Sequence, residues 1–74
     1  MCALILYGTS NCHLCEQAEA TLHRMGLAAE HIDIAEGGEL LIKYGTLIPV
    51  LRRADNDDEL CWPFDAADVT RFLY

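Results

Sequence analysis

Two cysteines, Cys12 and Cys15, are separated by two residues in the stretch TSNCHLC at residues 9–15. An apolar run precedes this stretch and a segment with helical periodicity follows it, which places Cys12 at or just before the first turn of a helix. The unpaired backbone N–H groups and the positive end of the helix dipole favour an anion there, and a thiolate is such an anion. This placement can lower a cysteine pKa from about 8.5 to between roughly 3.5 and 7.5. The pattern predicts a dithiol that forms a reversible disulfide.

The residues around the dithiol leave its electrostatics open. His13, if it is protonated, adds to the stabilisation of a thiolate, and it would then modulate the pKa of the reactive cysteine. Glu16, which also belongs to the first turn, opposes this effect. A solvated histidine at the helix start explains His13 equally well, so both interpretations stand at this point.

Metal binding is the main alternative to redox chemistry, because two cysteines with this spacing are also half of a zinc site. A structural zinc ion needs four ligands, usually supplied as two close pairs. The other two cysteines, Cys2 and Cys61, lie far apart in the chain and form no second pair. We therefore expect no metal site, and we interpret Cys2 and Cys61 as strand residues, with Cys61 as a candidate for a mixed or regulatory disulfide near the dithiol.

The length and charge of the chain narrow the function classes. Seventy-four residues are enough for one domain, taken as residues 1–74, and we expect a monomer. Twelve acidic residues against five basic ones give a formal net charge of −7, which argues against binding to nucleic acid or to anionic membranes. The longest apolar run, residues 2–7, is too short to cross a bilayer and lacks the flanks of a signal peptide. We predict a cytoplasmic protein, where cysteines stay reduced unless they act in redox chemistry.

Alternating apolar patterns and turn residues predict seven elements. Strands are expected at residues 3–7, 29–34, 48–51 and 59–62, and helices at residues 12–25, 39–44 and from residue 66 to the end. Leu14, Ala18, Leu22 and Met25 are expected on the buried side of the first helix. A right-handed crossover makes the first two strands parallel, and the last two form an antiparallel hairpin. The prediction is an α/β fold of order β-α-β-α-β-β-α, a four-stranded mixed sheet with helices on both faces.

The last helix has the clearest start signal in the chain. Asp65 is a favourable N-cap residue and Asp68 follows it three positions later, which is the spacing of a capping box. Phe64 and Val69 occupy the two positions of a hydrophobic staple across this helix start. Val69 also opens the expected buried stripe of the helix.

These motifs resemble the thioredoxin fold and, within it, the glutaredoxin-like branch. The resemblance rests on the Cys12-His13-Leu14-Cys15 segment after the first strand, on Leu47-Ile48-Pro49 where that family carries Thr-Val-Pro, and on Asp65 opening the last helix. The segment Trp62-Pro63-Phe64-Asp65 is similar to that of small bacterial glutaredoxin-like proteins. The resemblance spans nearly the whole chain.

The resemblance implies a thiol-disulfide oxidoreductase that reduces protein or small-molecule disulfides. Cys12 would be the attacking thiol and Cys15 the less exposed resolving thiol. A cis peptide bond would precede Pro49 and leave the backbone of Ile48 free to pair with an extended substrate. An external thiol reductant would reset the enzyme without an organic cofactor.

The resemblance also implies substrate contacts. Trp62 is expected either as a wall of the substrate groove or as a core aromatic residue, and Asp65 is expected to hold the amino group of glutathione. Lys43 is the one nearby candidate to receive the carboxylates of glutathione. A disulfide-containing protein and glutathione both remain as partners, with an iron-sulfur or metal-binding protein and a non-catalytic binding module as alternative functions.

Overall fold

A computed structural model describes residues 3–10 and 12–74, so the expectation for Cys2 lies outside the described residues. The elements follow the predicted order, with one short 3-10 helix added after the second strand. The strands are β1 Leu4–Gly8, β2 Glu30–Asp33, β3 Val50–Arg53 and β4 Glu59–Cys61, and the helices are α1 His13–Arg24, α2 Gly38–Tyr44 and α3 Ala66–Leu73, with the 3-10 helix at Ile34–Glu36.

The four strands form one mixed sheet in the spatial order β2-β1-β3-β4. β1 runs parallel to β2 and antiparallel to β3, and β3 runs antiparallel to β4. The predicted crossover and closing hairpin are therefore confirmed, and the fold is thioredoxin-like. β2 lies at an edge of the sheet, as its alternating and partly polar sequence indicated.

Helices cover both faces of the sheet and divide the core into two layers. The residues of β1 alternate between the layers, as the period-2 geometry of a strand requires. We call the side packed under α1 and α3 the first layer, and its buried members are Leu4, Leu6, Ala18, Leu22, Leu51, Phe64 and Val69. We call the side packed under the 3-10 helix and α2 the second layer, and its buried members are Tyr7, Ile34, Tyr44 and Val50.

The buried stripe of α1 differs from the prediction by one position. Leu14 is 44% exposed, whereas Cys15 is only 7% exposed and lies on the buried side with Ala18 and Leu22. Residues 15, 18 and 22 follow the i, i+3, i+7 spacing of one helix face, and Leu14 lies about 100° away from Cys15 around the helix axis. The prediction for Leu14 is therefore wrong, and Cys15 takes the buried position on this face of α1.

The bounds of all four strands differ from the prediction by one or two residues, and two of these differences have a clear physical reason. β2 ends at Asp33, whose carboxylate accepts the N–H of Ala35 at 2.8 Å and begins the 3-10 helix, so Ile34 is buried in that helix instead of in the strand. β3 begins at Val50, after Pro49, because proline has no N–H to donate to a sheet.

The predicted start of α3 is confirmed. Asp65 accepts the N–H of Asp68 at 2.9 Å, and the carboxylate of Asp68 accepts the N–H of Asp65 at 3.0 Å, which completes the capping box. Phe64 and Val69 are both buried in the first layer, as a hydrophobic staple requires.

Candidate functional site

The predicted site residues converge at one end of the sheet, where β1 and β4 end and β3 begins. β1 ends at Gly8 and leads toward the dithiol, and Tyr7 in β1 stands opposite Val50, the first residue of β3. Val50 in turn stands opposite Cys61, the last residue of β4. This end of the sheet therefore brings together the carboxyl end of β1, the Ile48-Pro49 segment and the segment that begins at Trp62.

Cys12 is the N-cap residue of α1, as predicted, and it forms a disulfide with Cys15. The Cα atoms of the two cysteines lie 5.2 Å apart. The backbone N–H of Cys15 donates a hydrogen bond to the sulfur of Cys12 at 3.1 Å. An N-cap residue usually offers an oxygen to this N–H group, and here the sulfur of Cys12 takes that place, at the end of the helix that favours an anion.

The two cysteines differ in exposure. Cys12 is half-buried, whereas Cys15 is buried, and its side chain faces the core and the backbone of Gly8. A Cβ atom added to Gly8 would lie 2.9 Å from the sulfur of Cys15. The sulfur of Cys15 therefore packs on a strand end where a side chain would displace it, and its lower exposure agrees with the expectation for a resolving thiol.

His13 lies on the solvent side of the helix start. Its Nδ1 atom is 3.8 Å from Glu16, and both side chains are largely exposed, at 83% and 70%. An exposed ion pair of this kind contributes little to stability because solvent screens it. The role of His13 in modulating the thiol stays a prediction.

The Ile48-Pro49 peptide bond is cis, as the resemblance implied, and Pro49 is fully buried. The carbonyl of Pro49 accepts the N–H of Trp62 at 3.1 Å, which ties the segment to the chain after β4. The N–H of Ile48 donates to the carbonyl of Tyr44 at 3.2 Å. The expectation that the backbone of Ile48 is free is thus wrong for its N–H, because the turn after α2 already uses it.

A second cis bond, Trp62-Pro63, was not predicted. Trp62 is half-buried and packs edge-to-face on Phe64 with 5.1 Å between ring centroids, so one of its two expected roles, that of a core aromatic residue, is observed. The X-Pro sequence alone gives little signal for a cis bond, because most such bonds are trans.

Cys61 and Lys43 lie on the second-layer side of the sheet. Cys61 is an exposed free thiol in β4. The ammonium group of Lys43 lies 5.1 Å from the ring centroid of Tyr44, within the range of a cation-π contact. Both groups are solvent-accessible.

A cavity of about 230 Å³, which the sequence analysis does not predict, lies beside Cys15 between α1 and β2. Its wall is mainly apolar but includes titratable side chains from α1 and β2, among which Glu19 and His31 are in contact at 3.2 Å. The only signal for this cavity in the sequence is the spacing of Cys15 and Glu19, which lie four residues apart on one helix. The lining residues are Leu6, Gly8, Thr9, Ser10, Cys15, Glu19, His31, Ile32 and Asp33.

Two features are absent from the described residues, 3–10 and 12–74: a metal-binding cluster and a membrane-spanning helix. No group of three or more histidine, cysteine, aspartate or glutamate side chains is arranged to hold a metal ion. No helix in the described residues is long and apolar enough to cross a membrane.

The family model described as Glutaredoxin-like domain (DUF836) matches residues 3–74. The chain belongs to this glutaredoxin-like family. No curated protein matched the chain in a separate search.

Solved structures of similar proteins agree with the glutaredoxin-like assignment. The X-ray structure of Northeast Structural Genomics target protein XcR50 from X. campestris is 39% identical, covers 96% of this chain and 95% of its own, and superposes with a TM-score of 0.88. The solution NMR structure of protein Ne2328 from Nitrosomonas europaea is 30% identical, with 96% and 89% coverage and a TM-score of 0.83. The resemblance seen in the motifs therefore extends over the whole fold.

Proposed function

We propose that this glutaredoxin-like protein is a thiol-disulfide oxidoreductase in which Cys12 attacks and Cys15 resolves. The observation that carries the proposal is the position of Cys12 at the N-cap of α1, where its sulfur accepts the N–H of Cys15 at 3.1 Å. The same contact would stabilise a Cys12 thiolate after reduction, and a stabilised thiolate is both the nucleophile and the good leaving group of disulfide exchange.

The reaction in the reductive direction has two exchange steps. The Cys12 thiolate attacks one sulfur of a substrate disulfide, forms a mixed disulfide and releases the first substrate thiolate. Cys15 then attacks the sulfur of Cys12, releases the second substrate thiolate and leaves the Cys12-Cys15 disulfide. Two electrons pass from the dithiol to the substrate, and an external thiol donor returns them. The chemistry needs neither an organic cofactor nor a metal.

The residues at this end of the sheet suggest how a substrate would be held. The carbonyl of Ile48 is proposed to accept a hydrogen bond from an extended substrate, beside Pro49 and the half-exposed ring of Trp62. Asp65 is proposed to attract a substrate amino group, since its carboxylate is exposed and bonded to the N–H of Asp68. The net charge of −7 favours a neutral or basic client protein over an anionic small thiol.

Glutathione remains a proposed co-substrate, with Lys43 and Asp65 as the groups that would receive its charged ends. We further propose that the protein acts as a monomer in the cytoplasm, where reducing thiols are abundant. Equilibration of the dithiol against glutathione and against thioredoxin would compare the two reductants. Each equilibrium constant gives a difference in reduction potential, and 30 mV corresponds to about 1.4 kcal/mol.

Cysteine variants test the proposed reaction on a model disulfide such as insulin, with dithiothreitol as the reductant. Cys12→Ser is expected to abolish the rate above the dithiothreitol background, because it removes the nucleophile. In a separate reaction without dithiothreitol, the reduced Cys15→Ser variant is expected to accumulate a mixed disulfide through Cys12, visible as an added mass on the intact protein. Cys61→Ser, which removes an exposed thiol from β4, is the matched control and should retain the parent rate. Equal rates for Cys12→Ser and the parent would refute the proposal.

A further inference from the structure

The second thiol of the pair has to lose a proton in a site that disfavours the charged form. Cys15 is 7% exposed, and its sulfur packs against the backbone of Gly8. Burial of this kind favours the neutral thiol over the thiolate. Unlike Cys12, Cys15 lies within the first turn of the helix and not at its cap. A route for its proton is therefore needed before it can attack.

The cavity beside Cys15 supplies such a route. It measures about 230 Å³ and is open to solvent, which is room for several water molecules at roughly 30 Å³ each. The titratable groups that face it are Glu19 from α1 and His31 and Asp33 from β2. The loop after β1 contributes only backbone and the hydroxyl groups of Thr9 and Ser10.

Of the two carboxylates that line the cavity, that of Asp33 already accepts two hydrogen bonds from neighbouring residues. One of its oxygens accepts the N–H of Ala35 at 2.8 Å, and the other accepts the hydroxyl of Ser10 at 3.4 Å. Both contacts fasten the start of the 3-10 helix, whose Ile34 is fully buried. Protonation of Asp33 would weaken this cap, so Asp33 is the less suitable proton acceptor.

Glu19 has the position and the partner that a proton acceptor requires. It lies one helical turn after Cys15, a spacing that puts the two Cβ atoms about 5–6 Å apart on one face. One of its carboxylate oxygens lies 3.2 Å from the Nδ1 atom of His31, and both side chains are 49% exposed. Because both side chains are about half exposed, the pair connects the cavity to bulk water.

We propose that Glu19, held by His31, is the proton acceptor for Cys15 in the resolving step. This inference rests on the proposed function. The S–H proton of Cys15 passes through cavity water to the carboxylate of Glu19, and the resulting thiolate attacks the sulfur of Cys12 in the mixed disulfide. The Cys15-Cys12 bond forms, the bond from Cys12 to the substrate sulfur breaks, and the substrate leaves as a thiolate. Glu19 then releases the proton through His31 to solvent.

The size of the expected effect follows from the ionised fraction of the Cys15 thiol. A thiol with an ordinary pKa of about 8.5 is roughly 3% ionised at pH 7, which corresponds to a loss of about thirtyfold when the acceptor is removed. Burial makes the ionised fraction smaller and the dependence on the acceptor larger. We expect at least a tenfold loss for Glu19→Gln at pH 7. The loss should shrink as the pH rises, because the thiol then ionises without help.

Stopped-flow reaction of the reduced protein with 5,5′-dithiobis(2-nitrobenzoate) separates the two steps, in a background of Cys2→Ser and Cys61→Ser so that only Cys12 and Cys15 report. The first release of nitrothiobenzoate measures attack by Cys12, and the second measures resolution by Cys15. Glu19→Gln should slow only the second phase and shift its pH profile upward. Glu30→Gln, which removes the same charge from the exposed side of β2, is the matched control and should change neither phase.

Any other outcome overturns either the inference or the proposed function, and the experiment shows which of the two has failed. A faster second phase in Glu19→Gln would mean that Glu19 acts only as a negative charge that opposes the thiolate. An unchanged second phase, or slowing by Asp33→Asn alone, would remove Glu19 from the role. Absence of a fast first phase in the parent would refute the proposed function itself. Thermal unfolding of each variant, followed by circular dichroism, checks that the fold is retained.

Discussion

The two layers of the core are built from different chemistry. The buried members of the first layer are all apolar, and α1, which carries the dithiol, rests on them through Ala18 and Leu22. Two of the four buried members of the second layer are tyrosines, Tyr7 and Tyr44, whose rings stack with 4.5 Å between centroids. The second layer therefore carries hydroxyl groups, whereas the buried residues of the first layer carry none.

Both tyrosine hydroxyls have polar partners at the margin of the second layer. The hydroxyl of Tyr7 accepts a hydrogen bond from Arg52 at 3.2 Å, and the hydroxyl of Tyr44 donates to the carboxylate of Glu59. Glu59 begins β4, so the second contact fastens the closing hairpin to α2. From this comparison we expect the first layer, which has more buried members among the described residues, to contribute more hydrophobic stabilisation and to support the helix that carries the dithiol, while the polar contacts of the second layer fix where the hairpin lies.

Truncation in the first layer is expected to have the largest effect. Leu22→Ala removes a side chain that is 2% exposed, and the resulting cavity should cost about 2–5 kcal/mol of the free energy of unfolding. Denaturant unfolding measures this loss. The matched control is Leu41→Ala on α2, where the leucine is 49% exposed and the loss should stay within about 0.5 kcal/mol. Equal losses at the two positions would contradict the assignment of the core.

Removal of one hydroxyl tests the second layer. Tyr44→Phe keeps the buried ring but removes the donor to Glu59, and we expect a loss of about 1 kcal/mol in the free energy of unfolding at pH 7. Hydrogen exchange should show the weakening mainly in the β3-β4 hairpin. A loss as large as that of Leu22→Ala would show that the two layers do not differ as described.

The same tyrosine predicts a loss of stability at alkaline pH. Burial, with the hydrogen bond to Glu59, raises the pKa of the Tyr44 hydroxyl above its usual value of 10.0. A group with a raised pKa in the folded state contributes stability that is complete below the ordinary pKa and is lost as the pH rises through the folded value. The free energy of unfolding should fall above pH 10 more steeply in the parent than in Tyr44→Phe. Identical slopes would exclude this contribution.

The smallest expected effect lies at the start of α3, outside both layers. The N–H of Asp65, with a smaller contribution from the charge of Arg71, lowers the pKa of the Asp68 carboxyl below 3.8. A lowered pKa gives stability that is present above the ordinary value and is lost as the pH falls through the folded value. Unfolding curves from pH 6 to pH 2 should therefore show a shallower acid loss in Asp68→Asn than in the parent. Matching acid profiles would argue against the capping box as a source of pH dependence.

Local features of the sequence determined much of the site. The order of elements follows from short-range patterns, and the N-cap positions of Cys12 and Asp65 follow from residues within one helical turn of each cap. The cis bond before Pro49 was available only through the family resemblance. Each of these features depends on the residue itself and its near neighbours in the chain, which a sequence displays directly.

The tertiary structure decided how those features face one another. The rotation of α1 against the sheet buried Cys15 and exposed Leu14, and helical periodicity alone did not distinguish the two faces. The pairing of β1 with β2 brought His31 within 3.2 Å of Glu19 and created the cavity beside the dithiol. Contacts of this kind join residues that are distant in sequence, and their geometry depends on how the elements pack, so no local pattern could have given them.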